Sequence, residues 1–242
     1  MSSMMLRRVY KRRATGPSWV PTDASARLWL DASDASTITI DTGVSVWADK
    51  SGGGYDAVQA TPANQPTYSG GVISMTRTSS QCFTISNTLG LFENTVIAMV
   101  AKVGATTTAA ASVFGMDTSP VNNPSIRIGL GGNQVNTYWN GAYVISGALG
   151  SWTASHRIHV HALSLVGGAA TVVLRQDGAQ VATGSRAWAS SPGTNYVYIN
   201  KSATGTAGHD MEIKELMVLP YSGENLANAE AYLAAKHGIA LA

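Results

Sequence analysis

The stretch HRIHVHALSLVGGAATVVLRQDGAQVAT, residues 156–183, decides the fold. His156–Val166, Ala170–Gln176 and Ala179–Thr183 are rich in branched aliphatic residues, and Gly167-Gly168 and Asp177-Gly178 separate them. Short apolar runs of this kind suit extended chain. The Gly-Gly and Asp-Gly pairs supply turn positions that tolerate positive φ. The stretch therefore reads as an antiparallel meander of three strands.

The same rhythm continues in both directions. Towards the N-terminus lie Ala142–Ser146, Gln134–Trp139, Ser125–Leu130 and Ser112–Met116, punctuated by Gly131-Gly132 and Asn122-Asn123-Pro124. Asn140-Gly141 between Tyr138-Trp139 and Tyr143-Val144 is a hairpin signal, because a type I′ turn needs positive φ at both central residues. Val96–Val103 is almost continuously apolar, as expected of a strand buried on both faces. Earlier still, Arg27–Asp31, Thr37–Ile40 and Val44–Trp47 read as short strands, and Ser51-Gly52-Gly53-Gly54 as a loop. Towards the C-terminus, Tyr196–Asn200 and Met211–Leu219 are the last strands. Only Asn225–His237 carries helical spacing, with Leu226, Ala229, Tyr232, Leu233 and Lys236 three and four apart. Gly238 supplies its C-cap, and Lys236 and His237 sit at the negative end of its dipole. Many short strands and one terminal helix predict an all-β, two-sheet jelly-roll sandwich over residues 23–242.

Residues 1–22 read as a separate extended arm. Arg7, Arg8, Lys11, Arg12 and Arg13 supply five of the 16 basic residues, and no acid precedes Asp23. The body keeps 11 basic against 14 acidic residues and is mildly acidic. Arg7-Arg8 and Arg12-Arg13 flank Val9-Tyr10, a pattern suited to anchoring in a neighbour whose carboxylates pair with the guanidiniums. Such an arm is expected to order only on a partner, because ordering costs chain entropy, and composition alone equally allows a solvated, disordered tail. Charged residues are only 12% of the chain and apolar residues 45%, which excludes disorder and suits contact with neighbouring subunits. One cysteine, Cys82, excludes an intrachain disulfide and reads as a small buried apolar residue. No apolar segment follows the early charges, and Lys102 interrupts the best membrane-span candidate, so a soluble protein made in a cytoplasm is expected.

Two groups of motifs resemble a known family. Leu28-Trp29-Leu30-Asp31-Ala32-Ser33-Asp34, Val46-Trp47-Ala48-Asp49-Lys50-Ser51-Gly52, Asp56-Ala57-Val58-Gln59 and Gln65-Pro66-Thr67-Tyr68 resemble the opening of concanavalin A-like, laminin-G-like domains of bacteriophage virion proteins. Glu215-Leu216-Met217-Val218 and Ala231–Ile239 resemble their close. The resemblance spans about residues 26–242, and its middle matches only in rhythm. It implies a two-sheet jelly roll whose chain ends lie close together, with carbohydrate-binding ancestry. It further implies a structural role in the virion: capsid decoration, head fibre or tail component. Partners would be other virion proteins and further copies of the chain, with host surface glycans as a second possibility and nucleic acid well behind. Laminin-G relatives also leave open calcium at Asp49 and Asp56, although no dense carboxylate ladder supports it; otherwise no cofactor is expected.

Residue by residue, the chemistry is sparse. Trp29 and Trp47 read as core aromatics, and Asp49 as a turn former whose carboxylate accepts backbone N–H groups. His159 and His161 share one strand face and His156 the other, which leaves a metal site without a third ligand. Asp210 and Glu212 share a face in the acidic stretch Asp210–Glu215, with Glu215 on the opposite one, unlike the alternating carboxylates of glycanases of this fold. The expected status is therefore non-enzymatic, with an endoglycanase relying on Glu212 as the weakest alternative. Tyr138, Trp139, Asn140 and Tyr143 around the hairpin are the glycan-contact candidates, since exposed rings stack on sugar faces. Core or subunit-interface roles compete for the same rings.

Overall fold

Thr95–Val103 shows why the chain folds as it does. Met99, Ala101 and Val103 enter one apolar cluster, while Val96, Ala98 and Val100 enter another on the opposite side. A strand apolar at every position from Val96 to Ala101 serves two cores at once, one between the sheets and one beneath a helix.

The computed structural model describes residues 19–86, 89, 94–104, 111–116, 125–128, 134–139, 142–148, 155–166, 168–187, 196–202 and 208–242. Side chains are described for these, except at 111–112, 116, 125–128, 134–139, 142–148, 165–166, 186 and 202. In chain order the strands are β1 (Leu28–Asp31), β2 (Ile38–Ile40), β3 (Val44–Trp47), β4 (Ala57–Val58), β5 (Thr67–Ser69), β6 (Val72–Met75) and β7 (Phe83–Ile85). There follow β8 (Thr95–Val103), β9 (Ala111–Met116), β10 (Ser125–Ile128), β11 (Gln134–Trp139) and β12 (Ala142–Ala148). The last are β13 (Arg157–Val166), β14 (Ala169–Gln176), β15 (Ala179–Ala187), β16 (Val197–Ser202) and β17 (Met211–Pro220), then helix α1 (Gly223–His237).

The strands form two antiparallel sheets. Sheet A runs β15-β14-β13-β8-β17-β6-β5, with β1 also paired to β17. Sheet B runs β12-β11-β10-β9-β16-β7-β4-β3-β2. Trp47, Phe83, Phe114, Leu28, Leu30 and Ile73 fill the space between them, all fully buried. Trp47 and Phe83 tilt against each other at a centroid distance of 6.2 Å. The outer face of sheet A is covered by α1 through Ala229, Tyr232 and Leu233. Ser222 caps α1 by accepting the Asn225 N–H at 2.9 Å, and Gly238 ends it at φ 65°.

The expected all-β sandwich with a C-terminal helix is the architecture observed. The meander of residues 156–183 is β13-β14-β15, with His156 just before it rather than inside it. Trp19 and Val20, which the sequence groups with the arm, pack on the α1 side of sheet A, and Pro21 is buried. Residues 1–18, with the anchoring candidates Arg7, Arg8, Val9, Tyr10, Lys11, Arg12 and Arg13, lie outside the described residues. Among the described residues no helix is long and apolar enough to cross a membrane.

One expectation about the final strand is corrected. Ile213 pairs with Ala101 and Glu215 with Val100, so Lys214 is an extra residue in β17, a β-bulge. Before it, Met211 and Ile213 face the inter-sheet core; after it, Leu216 and Val218 do. The bulge reverses the alternation, so Glu215 falls on the same outer face as Glu212, not on the opposite one.

Candidate functional site

The densest polar cluster among the described residues joins the two ends of the domain. Glu215 is fully buried on β17. One carboxylate oxygen accepts the Trp29 Nε1–H at 2.7 Å; the other meets Lys236 Nζ at 2.8 Å and His237 Nε2 at 2.7 Å. Lys236 also reaches Asp31 Oδ1 at 2.8 Å and donates to the Tyr232 hydroxyl at 3.2 Å. Asp31 takes three further donors: Lys50 Nζ at 2.9 Å, the Ser33 hydroxyl at 2.6 Å and the Ser33 N–H at 3.0 Å. Lys50 bridges onward to Asp34 at 2.8 Å and lies 4.5 Å from the Trp29 ring centroid.

Burial alone would raise the Asp31 pKa, but Lys236, Ser33 and Lys50 outweigh it and hold the carboxyl below its usual range. Lys50, opposed by its own burial, is raised by Asp34 and Asp31. Its hydrogen bond to Asp34 leads the effects that depress that exposed carboxyl to about 2. Burial and the adjacent Glu215 carboxylate push the Tyr232 phenol upward, so its proton stays on. The bulge aims Glu215 at α1, and residues 236 and 237 of that helix supply the compensating donors. Neighbouring Asp49 follows its sequence reading. Its oxygens accept from Trp29 N at 2.9 Å, Ser51 N at 2.8 Å, Ser51 Oγ at 2.7 Å and Tyr55 N at 3.1 Å. Asp56 accepts the Asp49 N–H at 2.8 Å. Both carboxylates of the calcium reading thus hold loop backbone.

The remaining acids of the 210–215 stretch border a recess of about 210 Å³ with Ser74, Met75, Thr76 and Lys102. Asp210 accepts the Arg77 N–H at 2.8 Å. Glu212 pairs with Lys102 at 3.1 Å and approaches His156 Nε2 to 3.3 Å without hydrogen-bond alignment. Burial first, then Lys214, lowers the His156 pKa against the pull of Glu212. These contacts occupy the acids with internal partners.

His159 and His161 share one face, as the alternation predicts, and it is the interior of the sandwich. They are 1% and 5% exposed, and His159 pairs in register with Met99 and Gln176. Burial drives the His161 pKa down to about 3; burial, then His161 and Arg157, takes His159 well below its ordinary value. Both are neutral core imidazoles. Among the described residues no cluster of three or more His, Cys, Asp or Glu is arranged to hold a metal ion.

Trp47 is a fully buried core residue, whereas Trp29 lies half-buried under α1 with its N–H taken by Glu215. Cys82 is half-buried, and burial raises its thiol pKa. The resembling residues Gln59 and Gln65 gain a physical role. Gln65 accepts Gly43 N at 2.8 Å and donates to the Gln59 carbonyl at 3.2 Å, while Gln59 donates to the Cys82 carbonyl at 2.8 Å. Of the hairpin candidates, Asn140 lies outside the described residues, as do the side chains of Tyr138, Trp139 and Tyr143. The backbone register still separates them: Tyr138 pairs with Tyr143 and Trp139 with Ala142. Tyr138 and Tyr143 therefore occupy one face of the ribbon and Trp139 the other. Sequence reading missed the roles of Lys50, Lys236 and His237; the four-residue step from Tyr232 to Lys236 was the one local signal.

Two antiparallel sheets with a C-terminal helix on one outer face define a lectin-like β-sandwich. No protein-family model and no curated protein matches the chain. Among solved structures it is similar to Trypanosoma rangeli sialidase in complex with 2,3-difluoro-KDN, at 12% identity and TM-score 0.62, over 92% of this chain and 35% of that one. It is also similar to the botulinum neurotoxin type G receptor binding domain, at 10% identity and TM-score 0.60, over 86% of this chain and 50% of that one. The chain thus spans about a third of the sialidase and half of the toxin domain, and the likeness is one of fold.

Proposed function

We propose that this chain is a non-enzymatic structural protein of a bacteriophage particle, a capsid decoration or head-fibre protein or a tail component. In this reading the basic arm docks on other virion proteins and the sandwich is displayed, with further copies of the chain as neighbours. The observation that supports it best is the network joining the two ends that resemble phage domains. Its carboxylates, and those of the neighbouring acidic stretch, are engaged with internal donors, which leaves no evident acid–base pair for glycoside hydrolysis among the described residues. The protein would be made in the host cytoplasm and reside in the virion, without a required cofactor. The test is imaging of particles carrying the full chain or a chain lacking residues 1–18, a deletion that spares Trp19. Decoration by the full chain alone is expected. Equal attachment of both forms would refute the arm as anchor, and absence of both from particles would refute the virion role.

A second reading, recognition of host surface glycans, is favoured by one observation: the similar structures include a sugar-processing enzyme in complex with a sugar analogue and a receptor binding domain. Because Tyr138 and Tyr143 share a face and Trp139 does not, Tyr138→Ala with Tyr143→Ala and Trp139→Ala interrogate different faces on a glycan array. A full chain that binds no glycan refutes this reading.

A further inference from the structure

Lys236 Nζ lies at 2.8 Å from two carboxylate oxygens at once, Oδ1 of Asp31 and Oε2 of Glu215. The three side chains come from the first strand, the last strand and the last turn of α1. Asp31 and Glu215 are cross-strand partners of β1 and β17, and the bulge at Lys214 turns Glu215 towards the helix. Both carboxylates are buried, and so is Tyr232, whose hydroxyl accepts from Lys236 at 3.2 Å. An amine held between a carboxyl group and a second, buried carboxylate has the three parts that amide formation needs: a nucleophile, a carbon to attack and a proton carrier. With Nζ 2.8 Å from Oδ1, the carbon of Asp31 is one bond further on, near the roughly 3–3.5 Å from which such attack starts.

We infer that Lys236 and Asp31 condense into an isopeptide bond, with Glu215 as the proton carrier, tying the first strand covalently to the C-terminal helix. The balance closes within the three side chains, since an ammonium and a carboxylate contain the atoms of an amide and one water. One Nζ proton passes to Asp31 Oδ1, leaving a neutral amine and a neutral acid. Nζ then attacks Cγ and forms the C–N bond, while Glu215 takes a second Nζ proton and delivers it to Oδ1. The Cγ–Oδ1 bond breaks, Oδ1 leaves as water with both protons, and Glu215 returns to its starting state. The remaining donors to Asp31 suit this course. Lys50 Nζ, 2.9 Å from Oδ2, stabilises the negative charge that grows there during attack, and the Ser33 hydroxyl, 2.6 Å from Oδ1, donates to the leaving oxygen. The same donors hold Asp31 ionised beforehand, so the bond forms slowly, after folding, from the ion pair described above. Folding holds the two groups at an effective concentration of about 10⁵ M or more, which favours condensation over hydrolysis. Lys50 is the competing amine. Its second carboxylate is the exposed Asp34, depressed to about 2 and a poor proton carrier, whereas Lys236 has the buried Glu215. The bond is a property of the folded chain alone, so its test is independent of the virion role.

The test is the intact mass of the folded full chain after prolonged incubation at neutral pH, followed by a tryptic map. The same is done for Lys236→Arg, which keeps the charge without an amine that condenses, and for Glu215→Gln, which removes the proton carrier. Circular dichroism checks that each variant folds. The parent is expected to weigh one water less than its sequence, and both variants to keep their full mass. Trypsin cuts after Arg27, Lys50 and Lys214, so the bond predicts one branched peptide joining residues 28–50 to residues 215–242, with Lys236 uncleaved. If a variant fails to fold, that branched peptide in the parent decides the bond by itself. A parent at full mass overturns the inference, as does a link from Asp31 to Lys50 or a loss of water without the branched peptide. A folded Glu215→Gln that forms the bond as fast as the parent overturns the role given to Glu215.

Discussion

Lowering the pH from 7.5 to 5 places a load on the sandwich interior that can be worked out from two residues. In the unfolded chain His159 and His161 take up protons as the pH passes their ordinary value of 6.5. In the native state both are buried and neutral, His161 with its pKa near 3 and His159 also depressed far. Between those limits the unfolded state binds more protons, so native stability falls as the pH falls. Each histidine contributes a slope of about 1.4 kcal/mol per pH unit below its ordinary value. At pH 5 the pair would cost about 4 kcal/mol, a large fraction of the roughly 5–15 kcal/mol that holds a domain together. The assay is urea unfolding at pH 7.5, 6.5, 5.5 and 5.0 for the parent chain and for His161→Leu. The parent should lose about 4 kcal/mol over the series, and the variant about half of that slope. Equal stability of the parent at pH 7.5 and 5.0 would refute the neutral-core account of these residues.

Two further outcomes are expected. Glu215→Gln removes the charge that balances Lys236 and His237 and should cost about 3–5 kcal/mol in urea unfolding, the usual cost of breaking a buried pair; a loss below 1 kcal/mol would mean that the network adds little. Gly238→Ala places a Cβ in open space but at φ 65°, so only backbone strain opposes it; a loss of about 1–2 kcal/mol is expected in the same assay, and none would indicate that the cap relaxes.

What could be read from the sequence follows from which interactions are local. The β8 run, the β13-β14-β15 meander and α1 carry their own periodicity and turn or cap residues, and all appear where the pattern puts them. The short strands β4, β5, β6 and β7 have two to four residues each and were not anticipated as strands. Part of their pairing energy comes from distant partners, β6 from β17 and β7 from β16, while β4 meets β7 at the single position Val58↔Thr84 and β5 pairs only with β6 across Gly70-Gly71. Glu215 shows the same limit at the candidate site. Strict alternation assigns it to the wrong face, because nothing in Ile213-Lys214-Glu215 announces a bulge. The pairing of Asp49 with Trp29 and of Gln59 with Gln65 was visible only as motif resemblance, and its cause emerges from which backbone groups those side chains satisfy.

The central place of β17 bears on how the chain reaches this state during synthesis. It hydrogen-bonds β8 along one edge, and β6 and β1 along the other. Until residues 211–220 leave the ribosome, the first strand lacks its ladder partner and the apolar run of β8 has an unpaired edge. Assembly of sheet A therefore awaits translation of residues 211–220, and its contacts join residues 28–31 to residues 215–218, a long-range topology associated with slow folding. In that interval the exposed β8 edge would be the natural client of a chaperone and the first place for nascent chains to aggregate.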